Sequence, residues 1–385
     1  MFAEDTRLPS LFASFIQGGF ECSTHKLRTG KRLDMIAATE HDRYIRQDYE
    51  RLKAVGIRTI REGLRWPLIE AKPGYFNFDS VRFMIEAANE AGMQVIWDLC
   101  HFGWPDHLDI FHPTWVASLA ELAACFTRVW LEESGRQPTF IAPVNEISFL
   151  SWAGGDCAYL NPFGHSRGAE LKRQLVRGAI QTMPILRSEL PDVTIVSPEP
   201  VIHIVGDPAR PDDVASAEAY RLSMFESWDM LTGRLHPELG GNPEGFDVLG
   251  INYYDRNQWW NFGQTIKVGD PEYRPFHHIL REVYERYKRP LFIAETGTED
   301  EARPSWFAYI ASEVRKATEL GVPVHGICLY PILNHPGWDN DRHCHNGLWD
   351  YADANGNREI YRPLADEICK QEEIRRRKTK ETGNE

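Results

Sequence analysis

The sequence contains no run of about 18 apolar residues, so hydropathy gives no membrane-spanning helix. It also lacks any repeat, low-complexity tract or Pro/Ser-rich linker, and nothing divides it into separate domains. Cysteine is sparse: seven residues, odd in number and scattered, fit reduced thiols rather than a disulfide framework. Positive charge is in the minority, with 43 Lys and Arg against 56 Asp and Glu and a net charge of −13. An anionic chain of this kind is a poor partner for nucleic acid or for an anionic membrane surface. The opening decapeptide, MFAEDTRLPS, turns acidic early and lacks the basic-then-apolar layout of a secretory leader. A cytoplasmic protein is the expectation from these absences.

Aromatic residues, by contrast, are plentiful at 12% of the chain, and 12 of them are tryptophan. Trp104, Trp152, Trp259, Trp260 and Trp338 stand in segments that read as loops. Flat indole faces suit the apolar C–H faces of sugar rings. For any one of them, ordinary packing is an equally good reading.

Continuous apolar segments near 11–21, 57–66, 93–101, 139–147, 193–199, 246–254, 290–296 and 323–333 read as strands. Such runs, rather than polar/apolar alternation, are expected of parallel strands covered on both sides. Between them lie helical patterns such as DRYIRQDYERLKAVG and SVRFMIEAANEAG, several stopping on glycine. Eight strands alternating with helices predict an α/β fold, a single-domain (β/α)8 TIM barrel over residues 1–370, and the length suits it. A doubly wound sheet is the competing architecture, weakened because no glycine-rich phosphate loop follows the first strand. The charged stretch 371–385 reads as a frayed tail without apolar anchors.

Two of the strands end on a carboxylate. FIAPVNEIS carries Glu146 and PLFIAETG carries Glu295. A glutamate is too costly to bury without a task or partner. In a barrel, active sites gather at the C-terminal ends of strands, and the fourth and seventh strands stand across the ring from each other. Facing carboxylates are the machinery of glycosidic bond cleavage, retaining when about 5–5.5 Å apart and inverting when about 6.5–9.5 Å apart. Glu21, Asp98 and Glu199 are further carboxylates at or near strand ends, read as supporting. Glu62 follows Arg61 and so points to the other face of its strand.

The ordered set of motifs resembles the clan A retaining glycoside hydrolases, and most of all glycoside hydrolase family 1, the β-glucosidase and β-galactosidase group. Asn145-Glu146 and Glu295 carry the likeness at the fourth and seventh strands. TIREGLRWPLIE, DLCHFGWP, FESWDMLTGRLHPELGG, FDVLGINYYDRN and LYPILNHPGWDNDRHCHNGLWD are similar to successive family segments. The resemblance implies a carbohydrate substrate and no cofactor or metal, with Glu295 as nucleophile and Glu146 as acid/base. It further implies Asn145 on the sugar 2-hydroxyl, Arg61 and Tyr254 hydrogen-bonded to Glu295, and His101 and Asn252 contacting the sugar or orienting these groups. Tyr330 takes the place of a sugar-facing tryptophan and Trp338 belongs to the same edge.

The chain departs from the family pattern where sugar selection occurs. Ile147 follows the acid/base where proline is usual, Gly337 precedes Trp338 where glutamate is usual, and His25 stands near the place of a strand-1 glutamine.

Arg61, Tyr254 and His101 would each, alone, read as structural; their weight comes from the set. A metal-dependent barrel hydrolase would draw on His101, His107, His343 and His345, but no His-x-His ends the first strand. The motifs are also compatible with a non-catalytic sugar-binding barrel, or with a transglycosidase that uses the same carboxylate pair. The loops 23–41, 149–165 and 256–270 are expected to wall a cleft. Within the first, HKLRTGKR is a local basic stretch, read as either a solvated loop or a docking point for an anionic sugar.

Overall fold

The computed structural model describes residues 11–134 and 137–381. Eight strands close into a ring: β1 (Ile16–Gly19), β2 (Thr59–Gly63), β3 (Gln94–Asp98), β4 (Phe140–Ala142), β5 (Thr194–Pro200), β6 (Val248–Asn252), β7 (Leu291–Thr296) and β8 (Val324–Leu329). Each pairs in parallel with its neighbours in sequence, and β8 returns to β1 with Ile16 opposite Ile327 and Gly18 opposite Leu329. This is the closed (β/α)8 barrel. All eight strands coincide with the predicted segments, Pro200 alone lying one residue beyond, but several are shorter. The fourth, expected over 139–147, pairs only through Ala142. Pro143, which has no N–H to give the ladder, ends it.

The connecting helices show why the chain alternates. His41–Ala54, Asp79–Ala91, Pro113–Glu133 and Arg303–Glu319 each bury one apolar stripe against the outside of the strands. Asp79–Ala91 stops at Gly92, whose φ of 69° is cheap only without a Cβ. Among the described residues no helix is long and apolar enough to cross a membrane.

Strand alternation divides the ring into two cores. Outward residues such as Ile60, Trp97, Leu249 and Ile293 join the large core beneath the helices. Inward residues Phe12, Ile96, Phe140, Ala142, Val196, Val248, Phe292 and Ala294 fill the barrel's lower interior. One step further along the strands the inward positions turn polar: Arg61, Asp98 and Asn252, all buried. Glu62, the outward neighbour of Arg61, binds His41 Nε2 at 2.9 Å and Tyr49 Oη at 2.8 Å, as the alternation requires.

The expected fray at 371 is corrected. The last helix runs Arg362–Glu381 and packs on Arg303–Glu319. Gln371 is buried and accepts from Arg315 at 2.7 Å, and Arg375 lies over the Phe15 ring at 4.7 Å. Glu372 pairs with Arg375 and Arg376 at helical spacing. A charged stretch therefore holds as helix through local ion pairs and the stems of its long side chains. Residues 382–385 lie outside the described residues.

Candidate active site

Glu295 does not reach the barrel interior by simple alternation. Ala294 already points inward, so the next side chain of a regular strand would point out. A register shift between β6 and β7 intervenes: Ile251 pairs with Ile293, but Asn252 pairs with Glu295. The extra residue re-aims the strand end, as bulges near active sites do. It also presents the Ala294 carbonyl to Arg61 Nη1 at 3.2 Å.

Both Glu295 oxygens are held. Arg61 Nη1 donates to Oε1 at 2.7 Å and Tyr254 Oη donates to Oε2 at 2.8 Å. Arg61 is 1% exposed and also meets Asp98, with Nε to Oδ1 at 3.2 Å and Nη2 to Oδ2 at 2.8 Å. A buried guanidinium needs opposite charge beside it in the low-dielectric interior, and Glu295 and Asp98 supply it.

Glu146 stands four residues past the end of β4 rather than on the strand, with φ 46° and ψ 60° in the left-handed region. The turn is fixed from both sides. Asn145 N–H donates to Cys100 O and Glu146 N–H donates to Pro198 O, each at 3.0 Å. Asn252 Nδ2 then donates to Glu146 Oε1 at 2.8 Å. Burial, then the neighbouring Glu295 and Glu199 charges, raise the Glu146 carboxyl well above the usual carboxylate range; the Asn252 hydrogen bond opposes them.

Asn145 joins the two halves. Its Oδ1 accepts from Arg61 Nη2 at 2.6 Å and its Nδ2 faces His101 Nε2 at 3.1 Å. His101 Nδ1 meets Asp98 Oδ2 at 2.9 Å. Arg61 fixes which end of the amide is oxygen, so Asn145 turns its N–H toward the His101 ring. Tyr330 lies parallel to His101 with centroids 6.0 Å apart, and its ring is 5.4 Å from the Arg61 guanidinium carbon.

Eight of the nine residues expected at the site therefore form one connected cluster: Arg61, His101, Asn145, Glu146, Asn252, Tyr254, Glu295 and Tyr330. Trp338 is a step removed, meeting the cluster through Phe102 at 6.1 Å and capping His25 at 4.4 Å. Of the loop tryptophans, Trp104 is core, buried against Trp115; Trp152 is exposed.

Asp98 proves integral to the cluster through Arg61 and His101. Cys22, which the sequence pattern does not single out, sits 3.7 Å from Tyr330 Oη. Nothing in its sequence neighbourhood marks it; only closure of the barrel brings it there. Among the described residues, one His/Cys/Asp/Glu group has ligand-type atoms within 4.8 Å of one another, Cys22–Asp98–His101. Its Asp98 is already taken by Arg61 and by His101. The other histidines of a metal reading are dispersed: His107 on Glu70, His343 stacked on Tyr351, His345 beside Asn334.

Each cation of the basic stretch 25–32 has a local partner. Lys26 and Arg32 pair with Asp106, Lys31 with Asp341, and Arg28 donates to the Cys157 and Ala158 carbonyls. It is a solvated, locally satisfied loop.

No protein-family model and no curated protein matches the chain. Solved structures do. A family 1 β-glucosidase from Thermotoga maritima superposes with a TM-score of 0.75 at 16% identity, over 93% of this chain and 97% of that one. The AHE enzyme from Alicyclobacillus herbarius gives 0.77 at 18% identity over 96% and 100%. A β-glycosidase from Pyrococcus horikoshii gives 0.74 at 18% identity over 94% of each. The likeness is one of fold. What they share with this chain is the closed (β/α)8 barrel.

Proposed function

We propose that this chain is a retaining β-glycosidase that cleaves a β-linked glycoside by double displacement. The observation that carries the reading is an asymmetry between two buried carboxyls in one cluster. Glu146 is pushed toward its neutral form by burial and by the Glu295 charge, and Glu295 has both oxygens fixed by a guanidinium and a phenol. Those surroundings suit a proton donor and an aimed nucleophile.

Glu146 gives its proton to the leaving oxygen while Glu295 attacks the anomeric carbon. The aglycone departs as an alcohol and the sugar stays as a glycosyl ester on Glu295. That ester carries no charge, so one of the forces raising the Glu146 pKa is gone, and Glu146 next acts as base on a water. Water adds to the anomeric carbon, the ester bond breaks and the pair is restored. The Asn145 amide has one N–H directed at His101 and a second available to the sugar 2-hydroxyl. The glycosidase fold of the structural neighbours supports the reading.

Hydrolysis of aryl β-glycosides (glucoside, galactoside, mannoside, fucoside, xyloside, glucuronide) tests it, with Glu295→Ala and Glu146→Ala alongside. Turnover should collapse in both variants. Azide should rescue Glu295→Ala as the α-glycosyl azide and Glu146→Ala as the β-glycosyl azide. Turnover that survives both substitutions would sink the assignment.

A further inference from the structure

Behind the Glu146 turn lies a carboxylate that the mechanism above does not use. Glu199, on β5, is fully buried. Its Oε2 accepts the Ser148 N–H at 3.0 Å, two residues beyond Glu146. Its Oε1 has no hydrogen-bond partner among the described residues. The residue before it, Pro198, accepts the Glu146 N–H at 3.0 Å, and the residue after it, Pro200, is the register partner of Asn252. Three consecutive residues of β5 thus touch the backbone of Glu146 itself, the turn after it, and the strand position that hydrogen-bonds its carboxyl.

Strain makes this matter. Glutamate has no intrinsic preference for φ 46°, so the backbone at Glu146 stays left-handed only while its surroundings over-determine it. The residue after Glu146 is isoleucine, whose side chain has no polar atom to give the turn; Glu199 anchors that flank through the Ser148 N–H, alongside Ser151 Oγ on the Ile147 carbonyl at 2.6 Å and Ser148 Oγ on Ser227 Oγ at 3.3 Å.

We propose, on the basis of the glycosidase reading above, that Glu199 is the positioning residue of the acid/base, holding Glu146 in the left-handed turn that delivers its carboxyl to Asn252 and Glu295. A neutral hydrogen-bond acceptor of the same shape would hold the turn equally well. The retained carboxylate adds a second effect. Burial raises the Glu199 carboxyl to about 7, against the Ser148 hydrogen bonds, the Lys172 charge and Ser227. Lys172, on the Gly168–Glu189 helix, acts on it through space and is itself paired with Glu226 at 2.6 Å, Ser227 comes from the Glu226–Leu231 helix, and the strand partner on β6, Ile251, is apolar. As Glu199 ionises with rising pH, its charge faces Glu146 and helps retain the proton there.

Glu199→Ala and Glu199→Gln separate these roles, because the glutamine carbonyl still accepts from Ser148. With an aryl glycoside the wild type turns over, Glu199→Ala should lower kcat about tenfold or more with KM within about threefold, and Glu199→Gln should recover most of the loss. The alkaline limb of the Glu199→Gln pH–rate profile should fall by about half a unit or more. A crystal structure of Glu199→Ala supplies a readout independent of turnover: the 144–148 turn should leave the left-handed region and the Asn252–Glu146 hydrogen bond should be lost. An unmoved turn, an alanine variant within about threefold of wild type in kcat, or a glutamine variant as impaired as alanine would overturn the proposal. Should the alanine variant not fold, the glutamine pH profile decides, an unshifted alkaline limb counting against it. A wild type with no turnover on any glycoside, yet with the turn displaced in the variant, would refute the glycosidase reading and leave the positioning role standing.

Discussion

Asn252 is the register partner of Glu295 on the adjacent strand, yet it gives its side-chain N–H to Glu146. The residue paired with Glu295 in the sheet is thus the one that orients the Glu146 carboxyl. A shift of β6 against β7 would disturb both carboxyls at once.

Removing that amide has a signed consequence. The Asn252 hydrogen bond lowers the Glu146 pKa against the other influences. Asn252→Ala should therefore move the alkaline limb of kcat/KM to higher pH, while misorientation of the acid cuts kcat/KM by about a hundredfold. A limb that moves to lower pH would contradict the arrangement.

Arg61 is the hub of the cluster, touching Glu295, Asp98, Asn145 and the Ala294 carbonyl. Arg61→Met would leave two carboxylates buried without their counter-charge, at a cost on the order of 3–5 kcal/mol. Urea unfolding should show that loss. Arg61→Lys keeps a charge but not the planar fork, so activity should stay low even where stability partly returns.

A steric route into the same site runs through Gly19 at the end of β1. A Cβ there would stand 2.1 Å from the Tyr330 ring. Gly19→Ala should push Tyr330 off His101, lowering kcat/KM together with thermal stability. Tyr330→Ala in the same background should restore part of the stability and none of the activity.

Outside the barrel, His41 is sandwiched between Asp48 Oδ2 at 2.8 Å and Glu62 Oε1 at 2.9 Å. Burial lowers its pKa, but Glu62 and Asp48 outweigh burial and raise it to about 9 from an ordinary 6.5. The stabilisation is fully present below pH 6.5 and is lost as pH rises through 9. Its size is on the order of 3 kcal/mol. Denaturant titrations of His41→Gln against wild type should differ by that much at pH 6 and converge by about pH 10.

Much of this was legible before folding. The eight strands announced themselves as apolar runs, since parallel strands bury both faces, and Glu62 could be turned outward by counting from Arg61. The carboxylates at 146 and 295 stood out because buried glutamates need a reason. What sequence periodicity could not reach was local and irregular. The bulge that turns Glu295 inward breaks the regular alternation of a strand, and the left-handed turn at Glu146 moves it off its expected strand. Cys22 and Glu199 acquire meaning only through neighbours distant in the chain. The last helix escapes a compositional reading because its anchors are the stems of arginines and one buried glutamine, which composition counts as polar.

That last helix has a practical bearing. Through Arg375 it lies against Phe15, the residue just before β1, at the end of the barrel remote from Glu146 and Glu295. A bead, surface or fusion partner joined at the helix would therefore leave the carboxylate-bearing rim facing solution. Immobilisation chemistry aimed at lysines of the loop 23–41 would instead break its pairings with Asp106 and Asp341 on the rim itself.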